Sequence, residues 1–510
     1  MKKVDVLIIG SGISGLTAGV ILGRQGKSVL ILEQHTKIGG YLHCFKRMGE
    51  KFDTGAHYVG SAEPGQAYHR LMNYLGVWDD SDYTELDPTG FDELFFPSFH
   101  FAIPKGYAAF QGRLIEMFPH EEKGIKFLIE HIQTAVKYFT TYQLHDFVPG
   151  TFPPEIFDRS LASVVDEAVS DPKLKYILYT YCSHHGTSPE DVSFGFHSII
   201  IDTLVSGAYG FANGGEVVAE RFKAELAKTG GEILTRQKVT RLEVENRAIK
   251  AVHTASGDVF HADWIISSMH PRSTFDVLDD TSAMSPVFKN RIYQLKEGPS
   301  FFGIYALLKK SAQFKANKNY FFFNSEIPQD FGTETRPEDP PSVIFMSSAR
   351  RLENPDAEFL PVNIHALAPY EWFEPWAGSR YGRRPGEYKE HKEQIAQRIF
   401  SAIEKHHPGF TASLEKYETS SPLSHLHFNG SHQGSAYGIY HSMAQSGPRA
   451  IGPRTKILNL LLTGQNSLFP GLLGSAIAGL RSAGHIVGIK HMLSDLKKDR
   501  APTPEETACK

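Results

Sequence analysis

The chain has 510 residues, of which 41% are hydrophobic and 22% charged, and its net charge is −4. That length exceeds one simple core and predicts two domains, and the near-neutral balance gives no electrostatic reason to expect nucleic acid as a partner. The three cysteines, Cys44, Cys182 and Cys509, show neither CxxC nor metal-type spacing, which fits a reducing compartment without a disulfide framework.

The first segment imitates a signal peptide, with two lysines before an apolar stretch, but Asp5 interrupts it and glycines recur at fixed spacing. Residues 4–9 read as a buried strand. Gly10-Ser11-Gly12-Ile13-Ser14-Gly15 then opens a helix with Leu16, Ala18 and Leu22 in phase. In such a turn Gly10 permits the tight bend, Gly12 admits a diphosphate to the backbone, and Gly15 lets helix and strand pack closely. The helix N-terminus offers free N–H groups to the anion. A second strand, residues 28–32, ends at Glu33, placed to accept from a ribose diol and to disfavour a 2′-phosphate. Gly26-Lys27-Ser28 superficially resembles the end of a P-loop, but Ile21 stands where that pattern needs its first glycine.

Gly39 and Gly40 follow closely, and Phe52-Asp53-Thr54-Gly55-Ala56-His57-Tyr58 supplies further small residues over which backbone approaches a flat ring. Aromatic clusters come next: Phe91, Phe95, Phe96, Phe99 and Phe101, later Phe301 and Phe302, then residues 320–323. Each is ordinary strand core or the wall of an apolar cavity. Residues 121–147 carry Ile125, Ile129, Ile132, Val136 and Phe139 on one helical face; docking on its own domain is favoured over lying on a membrane. Gly214-Gly215 opens a helix with Val218, Phe222 and Leu226 in phase, followed by strands around Val239 and Val252 and a returning strand at 263–268. Ile395, Ile399 and Ile403 mark a scaffold helix. Residues 457–462 read as a strand leading through Gly464 to Pro470-Gly471 and a helix rich in small residues. A Pro-Gly helix start aims N–H groups at a reduced flavin, although close helix packing explains such glycines too.

These motifs, above all FDTGAHYVG and TGQNSLFPGLLGSAIAGLRSAGH, resemble the phytoene desaturase, carotenoid isomerase and retinol saturase family of flavoproteins, and cover about a third of the chain. The resemblance implies an α/β fold: a Rossmann-type FAD-binding domain of the GDP-dissociation-inhibitor and amine-oxidase-like two-domain flavoprotein architecture, with an interleaved α+β substrate domain. The expected divisions are 1–75, 206–275 and 445–495 for FAD, 76–205 and 276–444 for substrate, and a polar tail over 496–510. FAD is the implied cofactor. Its expected contacts are Gly10, Gly12, Ile13, Ser14, Gly15, Glu33, Gln34, Gly39, Gly40, Gly55, Ala56 and His57, then Val239 through its backbone, then Gly464, Gln465, Pro470, Gly471, Leu473, Gly474 and Ser475.

The reaction implied is hydride transfer between flavin and a carbon–carbon bond of a carotenoid, retinoid or unsaturated fatty acyl chain, in either direction. His57 or Tyr58 is the candidate proton donor, with Tyr437 a second candidate for contact with substrate or flavin. Rival readings are a redox-neutral polyene isomerase, a flavin-free lipid escort, and an amine oxidase. No metal is expected, since neither His184-His185 nor His425 with His427 has ligand spacing, and no GxSxG nucleophile elbow occurs. Electrons come from free NAD(P)H, another protein, quinone or oxygen, because only one dinucleotide fingerprint is complete. The expected location is cytoplasmic, with peripheral membrane contact for access to lipid.

Overall fold

The computed structural model describes residues 3–139, 142–144, 154–310, 314–326, 336–352, 354, 356–490, 492 and 496. Strand Lys3–Ile9 is buried continuously from Val6 onward, as a parallel strand covered on both faces must be. Val29–Leu32 and Val259–Ser267 flank it in parallel, with Ile9 level with Leu32 on one side and Ser267 on the other. Glu232–Leu234 and Leu460–Leu462 extend the parallel array outward, and the hairpin Val239–Glu245/Ala248–Thr254 joins the antiparallel start of Val259–Ser267. Thus Gly10, Glu33, Ser268 and Thr463 all emerge at one carboxyl edge, where open α/β sheets bind ligands.

The helices Ile13–Arg24 and Gly471–Val487 pack against each other behind this edge. A Cβ on Gly479 would lie 2.2 Å from the Ser14 carbonyl oxygen, so this glycine serves close helix packing. The expected strand over 457–462 is shorter. The Thr455 hydroxyl accepts from Ile457 N and turns the chain, Leu458 is 64% exposed, and only Leu460–Leu462 pairs.

A second sheet runs in the order Leu414–Ser420, Phe301–Lys309, Phe359–Leu367, Val343–Ser348, Asn319–Phe323, Asp92–Phe95, His100–Ile103. Helix Gly386–His406 buries Ile395, Ile399 and Ile403 in the core formed with this sheet, as a scaffold element should. Most of the aromatic clusters are the sheet's own core: Phe91, Phe96, Phe101, Phe302, Phe321, Phe322 and Phe323 are all buried. The cavity-wall reading holds for Phe301 alone among these clusters. A small sheet joins Tyr58–Gly60, Ala208–Phe211 and Tyr83–Glu85.

Helix Glu122–Tyr138 turns Ile125, Ile129, Ile132 and Val136 inward against helices Leu161–Ala168 and Phe194–Val205, so this apolar face is docked on the protein itself. Residues 140, 141 and 145–147 of that expected helix, and 497–510 of the expected tail, lie outside the described residues. Leu496 departs from the expected polar tail: it is buried, and its carbonyl accepts from Arg70. Among the described residues no helix is long and apolar enough to cross a membrane.

Candidate functional site

A single elongated cavity of about 760 Å³ begins at the carboxyl edge of the parallel sheet and ends against the second sheet. Its near end is built from backbone. Gly10 takes φ +96°, and a Cβ there would meet Ser268 Oγ at 2.2 Å. Gly12 has ordinary extended dihedrals and opens the helix, yet a Cβ on it would meet no protein atom within 4 Å. That empty cradle at a helix N-terminus fits a diphosphate. Gly15 faces the other way, its virtual Cβ 2.2 Å from the Gly10 carbonyl oxygen, and serves the packing of helix on turn. Glu33 is buried and already oriented: Oε2 accepts from Ser11 N at 2.9 Å and Ser11 Oγ at 2.6 Å, Oε1 from His35 N at 2.7 Å. Its remaining lone pairs are free for a diol.

Most residues expected around the cofactor line this cavity: Gly10, Gly12, Ile13, Ser14, Glu33, Gln34, Gly39, Gly40, Gly55, Ala56, His57, Val239, Gly464, Gln465, Gly471 and Ser475. Four do not. Gly15 packs as described; Pro470 precedes the first turn of its helix; Leu473 is in the core; and Gly474 lies against Phe469, where a Cβ would come 2.7 Å from the Phe469 carbonyl oxygen. Pro470, Leu473 and Gly474 stand behind the wall because only one side of the Gly471–Val487 helix turns to the cavity, whereas Gly15 belongs to the helix Ile13–Arg24.

The far end is a chamber of side chains. His57, Tyr58, Ser183, His184, Phe301, Val343, Phe345, His365 and Tyr437 face it. The Tyr58 ring stacks on Phe345 with centroids 6.0 Å apart, His57 and His365 lie 4.6 Å apart, and Tyr437 meets Phe301 edge-on at 5.5 Å. All three expected catalytic candidates therefore converge here. Behind them stand Asp92, Tyr181, Asn319 and Arg351, which sequence reasoning missed. Arg351 Nη2 donates to the His57 carbonyl oxygen at 3.0 Å and to Asn319 Oδ1 at 2.7 Å, and so holds the loop that carries His57. The one available signal was Asp92 itself, an acid inside the aromatic strand FDELFF.

Burial makes the chamber uncharged. Desolvation, helped by the neighbouring His365 and Arg351, holds His57 well below the ordinary histidine range, and desolvation, with His197 nearby, takes His184 to about 3. His365 likewise falls to about 3. Burial, with Asp92 nearby, likewise holds the Tyr58 phenol well above its ordinary range, so His57 and Tyr58 both rest neutral. Burial also raises Asp92 to about 6, against the opposing pull of Asn319, Tyr181, Tyr58 and Arg351. Several imidazole nitrogens on the cavity wall, His57 Nδ1, His365 Nε2 and His425 Nε2, have no hydrogen-bond partner among the described residues. Such orphaned polar atoms suit a wall that meets a polar ring.

The structure also gathers Cys182, His185 and His197 into one buried group. Thr187 N–H donates to His185 Nδ1 at 3.2 Å, which puts the proton of neutral His185 on Nε2, 3.1 Å from His197 Nδ1. His197 Nε2 in turn meets the Leu178 carbonyl oxygen at 3.1 Å. A metal would need a bare Nε2 on His185, and the Thr187 amide opposes that tautomer. The trio reads as a closed, neutral hydrogen-bond chain.

The profile of the family described as flavin containing amine oxidoreductase matches residues 13–487. The chain is 27% identical to all-trans-retinol 13,14-reductase of Rattus norvegicus, over 97% of this chain and 87% of that protein. It is 24% identical to the chloroplastic prolycopene isomerase 2 of an Oncidium hybrid cultivar, over 94% of this chain and 83% of that protein. Among solved structures, cyclohexylamine oxidase from Brevibacterium oxydans matches the fold with a TM-score of 0.62 at 14% identity, covering 97% of this chain and all of that one.

Proposed function

The chain belongs to the flavin containing amine oxidoreductase family, and from that premise we propose that it is an FAD-dependent reductase of a conjugated carbon–carbon double bond in a long apolar polyene. The dinucleotide form of flavin is supported by the span of the near end. Gly12 offers a diphosphate cradle, Glu33 a diol acceptor, and Val239 a further backbone edge on the same wall. When bound, the flavin supplies hydride chemistry between its ring and a substrate carbon.

The observation that carries the substrate class is the distribution of charge. The ionisable carboxylates and amines on the cavity wall, Glu33, Lys37, Lys238 and Asp276, all sit on segments that follow strands of the parallel sheet. The chamber walls are neutral imidazoles, phenols and phenyl rings, which accept a flat apolar chain and give a cation no counter-charge. Burial alone supplies affinity for such a chain at about 0.8 kcal/mol per methylene, less the entropy of binding. The reductive direction is supported by a proton source: a double bond that takes hydride also takes a proton, and Tyr58 is a phenol on the wall backed by a buried acid. The name of the rat relative, a retinol reductase, agrees with this direction.

Anaerobic mixing of the reduced, flavin-loaded protein with an all-trans retinoid or carotenoid tests the reading. The expected product has gained the mass of H₂ and lost conjugated absorbance, while the flavin returns to its oxidised spectrum. A product of unchanged mass and altered geometry would make the protein an isomerase, and peroxide release from amines would make it an amine oxidase. The same proposal takes the substrate from a membrane surface, with the protein cytoplasmic and peripherally associated; co-sedimentation with liposomes checks that part.

A further inference from the structure

Asp92 is completely buried, yet it opens a strand whose next apolar residues, Leu94 and Phe95, pack in the cores around it. Its Oδ1 accepts from Asn319 Nδ2 at 2.8 Å, and its Oδ2 accepts from the Tyr181 hydroxyl at 2.7 Å. The same Oδ2 lies 3.2 Å from the Tyr58 hydroxyl oxygen, which is 2.6 Å from His184 Nε2. These contacts form a line from the buried acid to the chamber wall.

Proton positions along the line follow from its neighbours. Ser183 Oγ donates to the Thr180 carbonyl oxygen at 2.8 Å, so toward His184 Nδ1, 3.2 Å away, it can only accept. Neutral His184 therefore carries its proton on Nδ1 and presents a bare Nε2 to Tyr58. A phenol has one proton, and the shorter contact takes it to His184. The Tyr58 oxygen is left as an acceptor facing Asp92 Oδ2, and a protonated Asp92 satisfies that contact. Burial favours the protonated form. The groups facing Asp92 are Tyr58, Tyr181, Asn319 and, at longer range, the Arg351 guanidinium; none of them is a second acid.

We propose that Asp92 stores the proton used in the reduction and delivers it through Tyr58, with His184 holding the phenolic proton between turnovers. This rests on the polyene-reductase reading. With one carbon of the double bond having taken the hydride that a bound reduced flavin would supply, its neighbour would carry the electron pair. That pair forms a new C–H bond with the Tyr58 proton as the Tyr58 O–H bond breaks. The Asp92 O–H bond breaks in turn and its proton re-forms the Tyr58 hydroxyl. Asp92 is left as a carboxylate held by Tyr181 and Asn319, and one proton from solvent restores it, so each double bond gains one hydride and one proton. Tyr58 touches the substrate; Asp92 acts through it and is a positioning residue.

Two measurements on the flavin-loaded protein test this. Infrared difference spectra across the acid range should show carboxylic-acid carbonyl bands that titrate near pH 6, because buried Asp53 and Asp202 share that range with Asp92; one component should vanish in Asp92→Asn and shift in Tyr58→Phe. A set of bands unchanged in Asp92→Asn, or no shift of the Asp92 component in Tyr58→Phe, overturns the proposal. This arm needs no substrate, so it decides the relay even where polyene reduction fails and the reading of function falls. In the second arm, the wild-type rate of polyene reduction should fall as pH rises through about 6. Asp92→Asn should be about 100-fold slower with a flat profile and unchanged KM. His184→Gln should keep the pH-dependent limb. A wild-type profile in Asp92→Asn overturns the relay. Should Asp92→Asn fail to fold, Tyr58→Phe, which lacks one oxygen, carries both arms.

Discussion

The end of the cavity at the parallel sheet is made largely of backbone, and the chamber end is made of side chains. At the first, Gly10, Gly12 and Gly15 stand within one turn, and each glycine has its own geometric reason: a left-handed φ, an empty cradle, and a contact too close for a Cβ. At the second, Tyr58, Asp92, Asn319 and Arg351 come from separate strands and loops, Tyr181 and His184 from one short helix, Thr180–His184, and each works through a neighbour far away in sequence. Substitutions at the two ends should therefore fail differently. A glycine is lost through the space a new methyl occupies, whereas a chamber residue is lost through the proton or contact it supplied.

The largest difference should appear at Tyr58. Tyr58→Phe keeps the ring that stacks on Phe345 and removes only the hydroxyl between Asp92 and His184. Polyene turnover is expected to fall about 10³-fold with flavin still bound, read by steady-state rates beside the flavin spectrum. A variant as fast as the parent would place the proton donor elsewhere.

Gly12→Ala is the counterpart at the other end. The methyl meets no protein atom, and the backbone there suits any residue, so the fold should survive while flavin affinity drops about 100-fold, or about 2.7 kcal/mol. Titration of apoprotein with FAD measures it. A yellow Gly12→Ala protein of normal affinity would break the assignment of the cradle.

Glu297 sharpens the comparison where the two ends meet. This buried carboxylate lies 3.1 Å from His270 Nε2 and 3.3 Å from His432 Nδ1, and both histidines line the cavity. Although burial works against its charge, these two imidazoles hold Glu297 down at about 2. A depressed carboxylate contributes stability above its ordinary range near 4.5 and loses it as pH falls toward 2. Glu297→Gln should thus cost about 2 kcal/mol near neutral pH and progressively less in acid, as read from urea midpoints at several pH values.

The smallest effect should come from Gly479→Ala. Its Cβ would press on the Ser14 carbonyl oxygen between two helices, so stability should fall by about 1–2 kcal/mol while the folded fraction binds flavin normally. Loss of flavin binding without loss of stability would move this glycine from packing into the site.

The amino-acid sequence by itself determined the parallel half of the protein and picked out many of the residues that line the cavity beside it. Strand, glycine turn, helix and terminal acid follow one another within the first 33 residues, and their roles depend on local dihedrals and on the period of apolar residues. It also carried the apolar faces of the helices around Ile129 and Ile399. It did not separate Gly471 and Ser475, which line the cavity, from Gly474 and Gly479, which pack against the protein, because helical glycines differ only in the direction they face. Nor did it show that the FDELFF aromatics form core while its acid supports the chamber. Only the tertiary structure decided that, through the parallel pairing of Asn319 with Asp92 and the approach of Tyr58 and Tyr181 to the same carboxylate. Local patterns record how the backbone bends; which distant side chains share a proton is set by sheet register and packing, which no periodicity encodes.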